Sequence, residues 1–518
     1  MSKTGIPCSF ILNRPLSPTI IVKTKTTRYL EVHPWSIVEK GFHPSRSRAS
    51  ESIFSLANEF MGVRGFFEEG YSGESMIGCY FNAVFDEHPI IYACKLKGFP
   101  DRTHFMVSAV NWLHTRLTLD GETLDLHVSK VSEFVRTLDL RTGVLTRSFV
   151  WETGKGRQVK VCFTRFLSMV EPGLGAQRIE LEALNFTGKI SVSLALDFSP
   201  VQHSEGRCLW SGRCRENTAD GCAIVGETSQ SGHKILSMMK VGSSAEPATS
   251  RALDAGADDR IAGIMQQYNL RKGVGLRIDR LVAHRVERRR GITPEKFLKA
   301  ERKSATRLLA TTFDRERERH AGYWAEYWKD FDIRIEGDPA YEQGTRYCLF
   351  QLRSTYHGVD SGLNIGAKGL TGEQYGGLAF WDTETYCLPF YLFTDPSAAR
   401  NLLLFRYHTL EQAKERAIQV GLVGARYPMT TIDGTEACVV WNHGDLEIHV
   451  PAAVAYGVWH YVRVTGDEEF LFRFGVEMLV EISRFYASHG NWSPKTGEFG
   501  LWAVMGADEF HMMIHNNA

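Results

Sequence analysis

The sequence lacks any apolar run of the length a bilayer-spanning helix needs. Its first 27 residues carry Lys3, Lys23 and Lys25 but no continuous apolar h-region of the signal-peptide kind. Neither membrane insertion nor export is expected, and a cytoplasmic protein is. The sequence also lacks an excess of either charge. Lys plus Arg and Asp plus Glu number 60 each, so the basic footprint of a nucleic-acid binder is missing. None of the ten cysteines forms a CxxC pair, and they read as reduced thiols. No Walker pattern, no GxGxxG after a strand and no GxSxG elbow occurs, so nucleotide binding and serine-hydrolase chemistry have no motif support. What remains is a soluble globular composition, 43% hydrophobic and 23% charged, over 518 residues. That is too long for one ordinary domain.

The first half has the rhythm of β-structure. Trp112 to Val128 alternates around the hairpin signal Asp120-Gly121. Runs at 134–140, 144–152, 158–166, 179–185 and 190–198 follow, divided by Gly-bearing turns, and predict a large antiparallel sandwich. The small, polar stretch 242–259 reads as a loop. Thr293-Pro294-Glu295 then opens a helix, with an N-cap hydroxyl before Pro at the first helical position. A charged helical linker follows, ending in Tyr323, Trp324, Tyr327 and Trp328, and then a short strand at 331–335. Asp338-Pro339 is a second cap-plus-Pro start. Helices are predicted at 341–356, 397–420, 446–464 and 468–488, the last two joined by Thr465-Gly466-Asp467. Spacing alone leaves a helical toroid and a bundle open.

Two loops between these helices hold candidate chemistry. One runs from Leu363-Asn364-Ile365-Gly366 to Trp381-Asp382, where an aromatic platform and a carboxylate suit a sugar. A Gly-rich turn with a core Trp and a capping Asp is the plainer alternative. The other, 505–518, crowds Asp508, Glu509, His511, His515, Asn516 and Asn517 together. It fits a metal site through His511 and His515, a proton-donating carboxylic acid, or a solvated loop. His443, Asp445, Glu447 and His449, polar at every second position before a helix, read as ordinary surface.

Taken in order, several of these stretches resemble glycoside hydrolase family 65, which contains maltose, trehalose, kojibiose, nigerose and glucosylglycerol phosphorylases and a few hydrolases. They are 52–70 (Ser-Ile-Phe-Ser-Leu-Ala-Asn-Glu-Phe-Met-Gly-Val-Arg-Gly-Phe-Phe-Glu-Glu-Gly), 363–382, Tyr407-His408-Thr409-Leu410 and Met505-Gly506-Ala507-Asp508-Glu509-Phe510-His511. The resemblance implies an N-terminal extension at 1–28, a β-sandwich at 29–290, a helical linker at 291–335 and an incomplete (α/α)6-barrel catalytic domain at 336–518. It makes Glu509 the general acid, and Ala507 and Phe510 stand where the family motif has Pro and Tyr. Burial together with Asp508 beside it is expected to hold the Glu509 proton. Trp381 and Asp382 match the pair lining the glucose subsite, and Asp508, His511 and Asn517 complete the expected substrate-binding set. No metal or organic cofactor is implied. Inorganic phosphate is a co-substrate, the partner is an α-linked glucose disaccharide or glucoside, and a homodimer is expected. The family's acceptor-site segment Phe-Pro-Trp-Glu is Tyr427-Pro428-Met429-Thr430 here, which leaves the disaccharide open. The phosphate ligands of phosphorylases, or the catalytic base of hydrolases, are expected beyond Ala518. Hydrolysis and inactive sugar binding are therefore the alternatives to phosphorolysis.

Overall fold

A computed structural model of the chain describes residues 28–516 except 219, 255 and 257. The expected extension at 1–28, save Arg28, and Asn517 lie outside the described residues. Two antiparallel sheets dominate the first half. The larger has ten strands, ordered Leu30–His33, Ser36–Lys40, Lys130–Asp139, Val144–Glu152, Gln158–Leu167, Leu174–Ala183, Gly275–Glu287, Lys234–Ser243, Gly221–Thr228 and Trp210–Asn217. The smaller has five, ordered Thr249–Ala252, Ile261–Leu270, Gly188–Asp197, Thr115–Leu119 and Glu122–Thr123. The last two are joined at Asp120 (φ 58°) and Gly121 (φ 87°), the doubly left-handed turn that matches strand twist.

Period-two alternation decides which residue faces which layer. Ile179, Leu181, Ile224, Ile235, Ile278 and Val282 of the large sheet face the core shared with Ile190, Val192, Leu194 and Leu196 of the small one. Their neighbours Leu174, Ala176, Val225, Leu236, Leu281 and Ala283 face the other way and bury Phe297, Leu298, Ala305, Leu308 and Phe313 of the linker. The linker is two helices, Pro294–Leu308 and Phe313–Phe331, capped by the side chains of Thr293 and Thr312.

Four expectations are corrected. The stretch 242–259 is not all loop: the strand Thr249–Ala252 pairs on the small sheet's edge. Its four residues are exposed, so backbone pairing alone makes it a strand and no apolar pattern announces it. No strand forms at 331–335. Phe331 completes the second linker helix, its ring 5.0 Å from that of Tyr327 one turn earlier, and Asp332 turns away to a bidentate pair with Arg346. The helix expected over 397–420 breaks at Thr409 into Pro396–His408 and Leu410–Gln419. The Thr409 hydroxyl donates to the Phe405 carbonyl, a side-chain competition that bends helices. The helix expected over 468–488 opens with a π-turn at Leu471–Gly475 before Val476–His489.

The segment 52–70 is the joint between sheets and helices. The Glu59 carboxylate accepts the N–H groups of His357, Val359 and Asp360 at 2.7–3.1 Å, and Arg64 donates to the Thr371 carbonyl. Gly62 packs so closely on Leu370 that a Cβ would collide with its carbonyl. Farther along, Glu68 pairs with Arg147 (2.7 Å) and Arg165 (3.0 Å), and all three side chains are buried. Removing Glu68 would leave buried Arg165 without a carboxylate, while Arg147 keeps Glu69, and loss of one partner of a buried pair costs about 3–5 kcal/mol. Glu68→Ala is expected to lower the urea-unfolding free energy by that amount; a loss within experimental error would mean that Arg165 finds another partner.

Three buried imidazoles make the fold acid-sensitive. His320 Nδ1 accepts from the Met169 N–H and Nε2 faces the Gly143 carbonyl, an arrangement only the neutral ring satisfies. Burial pushes His320 down to about 4 and His284 and His357 to about 3. Unfolding frees them to bind protons below their ordinary value near 6.5, so their contribution is complete above pH 6.5 and is lost towards pH 3–4. Urea midpoints are expected to fall steadily from pH 6.5 to 4, and a flat profile over that interval would contradict this.

Candidate active site

The stretch 501–516 is an irregular loop pinned at its base. Val504 and Ile514 exchange both backbone hydrogen bonds, Asn516 bonds Leu501 through backbone and side chain, and the Met505 N–H donates to the Leu446 carbonyl. Val504 and Met505 are fully buried. Glu509 stands at the exposed end in the left-handed region, φ 61°, where a non-glycine residue is uncommon and warrants a functional explanation.

Its side chain is 53% exposed, which corrects the expectation of a buried acid. Asp508 does not press on it as expected either. The Asp508 carboxylate is taken by His511 Nδ1 at 2.5 Å, and that hydrogen bond first of all holds it below the usual carboxylate range. His515 stacks on Trp502, ring centroids 3.8 Å apart. His511 and His515 thus have separate partners on an irregular loop, and the helical i, i+4 geometry behind the metal reading is absent.

The buried carboxylate is Glu447, one of the residues read as surface. Its side chain has no solvent exposure, and neither oxygen has a hydrogen bond of good geometry. His443 Nδ1 lies 2.8 Å from Glu447 Oε1 and 3.9 Å from Glu509 Oε1. Burial, and then the charges of Glu509, Asp508 and Glu436, push Glu447 up to about 8. Asp445, from the same run, instead pairs with Arg416 at 2.6 Å. The only local signal was the pairing of His443 and Glu447 at i, i+4; the burial comes from the loop at 505 packing over them.

The second loop arrives from the other side. His449 Nε2 is 3.7 Å from Glu447 Oε2, and its ring meets that of Trp381 edge-on at 4.8 Å. Trp381 is half-buried, not a core residue. Asp382 is exposed and makes no side-chain cap on the turn it precedes, which removes the capping alternative. It opens onto a cavity of about 680 Å³ shared with Gly366, Lys368, Phe380 and Tyr386. The pair is held from below. Arg406, buried, makes a bidentate pair with Glu384 at 2.7 and 2.9 Å and donates to the Phe380 carbonyl. Gly366 must be glycine, because a Cβ would lie 2.5 Å from the Gly377 carbonyl. Tyr427 to Thr430 are all buried; the Tyr427 hydroxyl donates to the Arg406 carbonyl, and Met429 and Thr430 donate to Glu436.

The structure therefore brings Trp381, His449, Glu447, His443 and Glu509 into one continuous line, with Asp382 beside it and Asp508 and His511 paired at the far end. No described helix is long and apolar enough to cross a membrane.

Comparison with known proteins gives this arrangement a family. Residues 37–327 match the model of the glycosyl hydrolase family 65 N-terminal domain, and residues 346–518 that of the family's central catalytic domain. The chain is 32% identical over 503 residues to the maltose phosphorylase of Bacillus subtilis, covering 95% of this chain and 64% of that protein. It is 31% identical to the α,α-trehalose phosphorylase of Thermoanaerobacter brockii, covering 96% and 65% respectively. A solved structure described as a putative kojibiose phosphorylase from human microbiome superposes with a TM-score of 0.88 at 34% identity, over 94% of this chain and 64% of that one. The chain thus spans slightly less than two thirds of the length of these relatives. An antiparallel sandwich, two linker helices and a helical region in this order, matched by both family models, mean that the chain belongs to glycosyl hydrolase family 65.

Proposed function

We propose that this chain acts in the inverting phosphorolysis of an α-linked glucose disaccharide or glucoside, releasing β-glucose 1-phosphate and the acceptor. Glu509 is the general acid, protonating the glycosidic oxygen as it leaves. Phosphate, already an anion, attacks the anomeric carbon from the opposite face and needs no protein base. Trp381 supplies a platform for the non-reducing glucose and Asp382 accepts its hydroxyls. Asp508 and His511, held to one another, shape the leaving-group side, and Asn517 completes the substrate-binding set that the family resemblance implies. No metal or organic cofactor is invoked, and a homodimer is the assembly proposed.

The observation that carries this reading is the placement of Glu509. An exposed carboxylate on a pinned, strained loop is joined through His443, Glu447 and His449 to a loop that presents an aromatic ring and an uncapped carboxylate. The same geometry disfavours a carboxylate-assisted hydrolysis by Glu447. An inverting hydrolase separates its acid and base by about 6.5–9.5 Å to admit water, whereas the facing atoms of Glu447 and Glu509 lie within 4.8 Å. Burial also pushes Glu447 up to about 8, which disfavours it as a base or nucleophile. The names of the relatives support phosphorolysis over hydrolysis and leave the linkage to be chosen among maltose, trehalose and kojibiose.

Incubation of the expressed gene product with each of these disaccharides is expected to release glucose 1-phosphate only when phosphate is present, with the β-anomer seen by proton NMR. Release of free glucose without phosphate would overturn the reading. Glu509→Gln keeps the shape but cannot donate the proton. It is expected to lower kcat by about 10²–10⁴-fold with KM little changed, and near-normal turnover would remove Glu509 from the mechanism.

A further inference from the structure

The Glu447 side chain is a buried acid with no job in the reaction just described. It is fully enclosed, its oxygens lack a well-formed hydrogen bond, and beyond the His443 ring at 2.8 Å it faces a second carboxylate within 4.8 Å. Uncompensated burial of this kind is costly and calls for an explanation. Every element packed around it brings a titratable group. His443 comes from the helix Trp441–Leu446 and His449 from the start of the helix His449–Thr465. Asp508 and Glu509 come from the loop above, and Glu436 and Cys438 from the segment behind. Arg416 is held by Asp445 at 2.6 Å and lies 3.7 Å from Glu436, and among the described residues no Lys or Arg is within salt-bridge distance of Glu447. The Glu447–Met505 backbone bridge fixes the carboxyl beneath the Glu509 loop.

We propose that Glu447 stores the proton used by Glu509 and that His443 passes it between them. The proposal rests on Glu509 being the proton donor. One imidazole nitrogen, Nδ1, faces both carboxyls, so it can take the proton from one and hand it to the other. The transfer proposed starts with the proton on enclosed Glu447 and ends with it on exposed Glu509. As a sugar covers Glu509 and removes water from it, ionisation there becomes costly. The Glu447 O–H bond breaks, His443 Nδ1 accepts the proton and then delivers it to a Glu509 oxygen. The group begins and ends with one negative charge, moved from Glu509 to Glu447. Glu447 and His443 are positioning residues, since neither touches the glycosidic bond.

The test is a pH profile of the expressed gene product with disaccharide and phosphate. With its store removed, Glu447→Gln is expected to move the basic limb of kcat/KM down by at least one pH unit, a tenfold loss on the alkaline side, while KM stays within about twofold. His443→Leu, at a partly exposed position, is expected to do the same and keeps the test available if the buried variant does not fold. Unmoved limbs in both variants, or activity that requires a divalent cation, would overturn the proposal. Inactive Glu509→Gln beside unmoved limbs would reject the proton store alone, whereas active Glu509→Gln would reject the donor as well. A second readout needs no turnover. Glu447 binds its proton more tightly folded than unfolded, so its stabilising effect is complete below about pH 4.5 and is lost as the pH rises through about 8. Glu447→Gln should gain on the parent in urea midpoint between pH 5 and 8; parallel profiles would contradict a buried proton there.

Discussion

Glu59 is the constraint on which the rest of the site depends. It sits in the left-handed region, φ 66°, with a buried carboxylate that closes on three consecutive parts of the turn His357–Asp360. That turn ends the first helix of the helical domain and leads into the Gly-rich loop carrying Trp381 and Asp382. Asn82 strengthens the same seam, donating to the Glu59 and Asn364 carbonyls. The sandwich therefore holds the loop of Trp381 and Asp382 at a defined height rather than serving as a passive neighbour. Buried groups with nearly all of their partners supplied by the other domain cannot slide without leaving polar atoms unpaired.

Across the site, burial is distributed unevenly between two carboxyls. Glu509 is open to solvent, while Glu447 is enclosed and its affinity for a proton is raised by that burial. An acid catalyst needs both properties, and exposure and a raised affinity for protons oppose one another in a single side chain. Placing them on two residues joined by one imidazole is a way out of that conflict, and it accounts for a buried carboxyl that would otherwise only destabilise the fold.

Much of the architecture was legible locally. Alternating apolar residues name the inner and outer faces of the large sheet, and Thr293-Pro294 and Asp338-Pro339 mark helix starts that the side chains of Thr293 and Asp338 do cap. The misreadings have one physical source. The strand at 249–252 has no apolar face and exists because a neighbouring edge offers hydrogen bonds. Phe331 stays helical because Tyr327 lies one turn below. Thr409 breaks a helix because its hydroxyl competes for a carbonyl. In each case a specific partner, one turn away in the two helices and on a neighbouring strand for 249–252, decides the conformation rather than the apolar pattern.

The sequence by itself determined the layer order and the family and nominated a candidate acid, because periodicity, caps and an ordered series of motifs are properties of the chain. Only the tertiary structure decided which carboxyl is dry. Glu447 and Glu509 are 62 positions apart, and their environments depend on the loop at 505 folding onto the helix end at 446. Desolvation is a sum over everything that packs nearby, and no spacing along the chain encodes it.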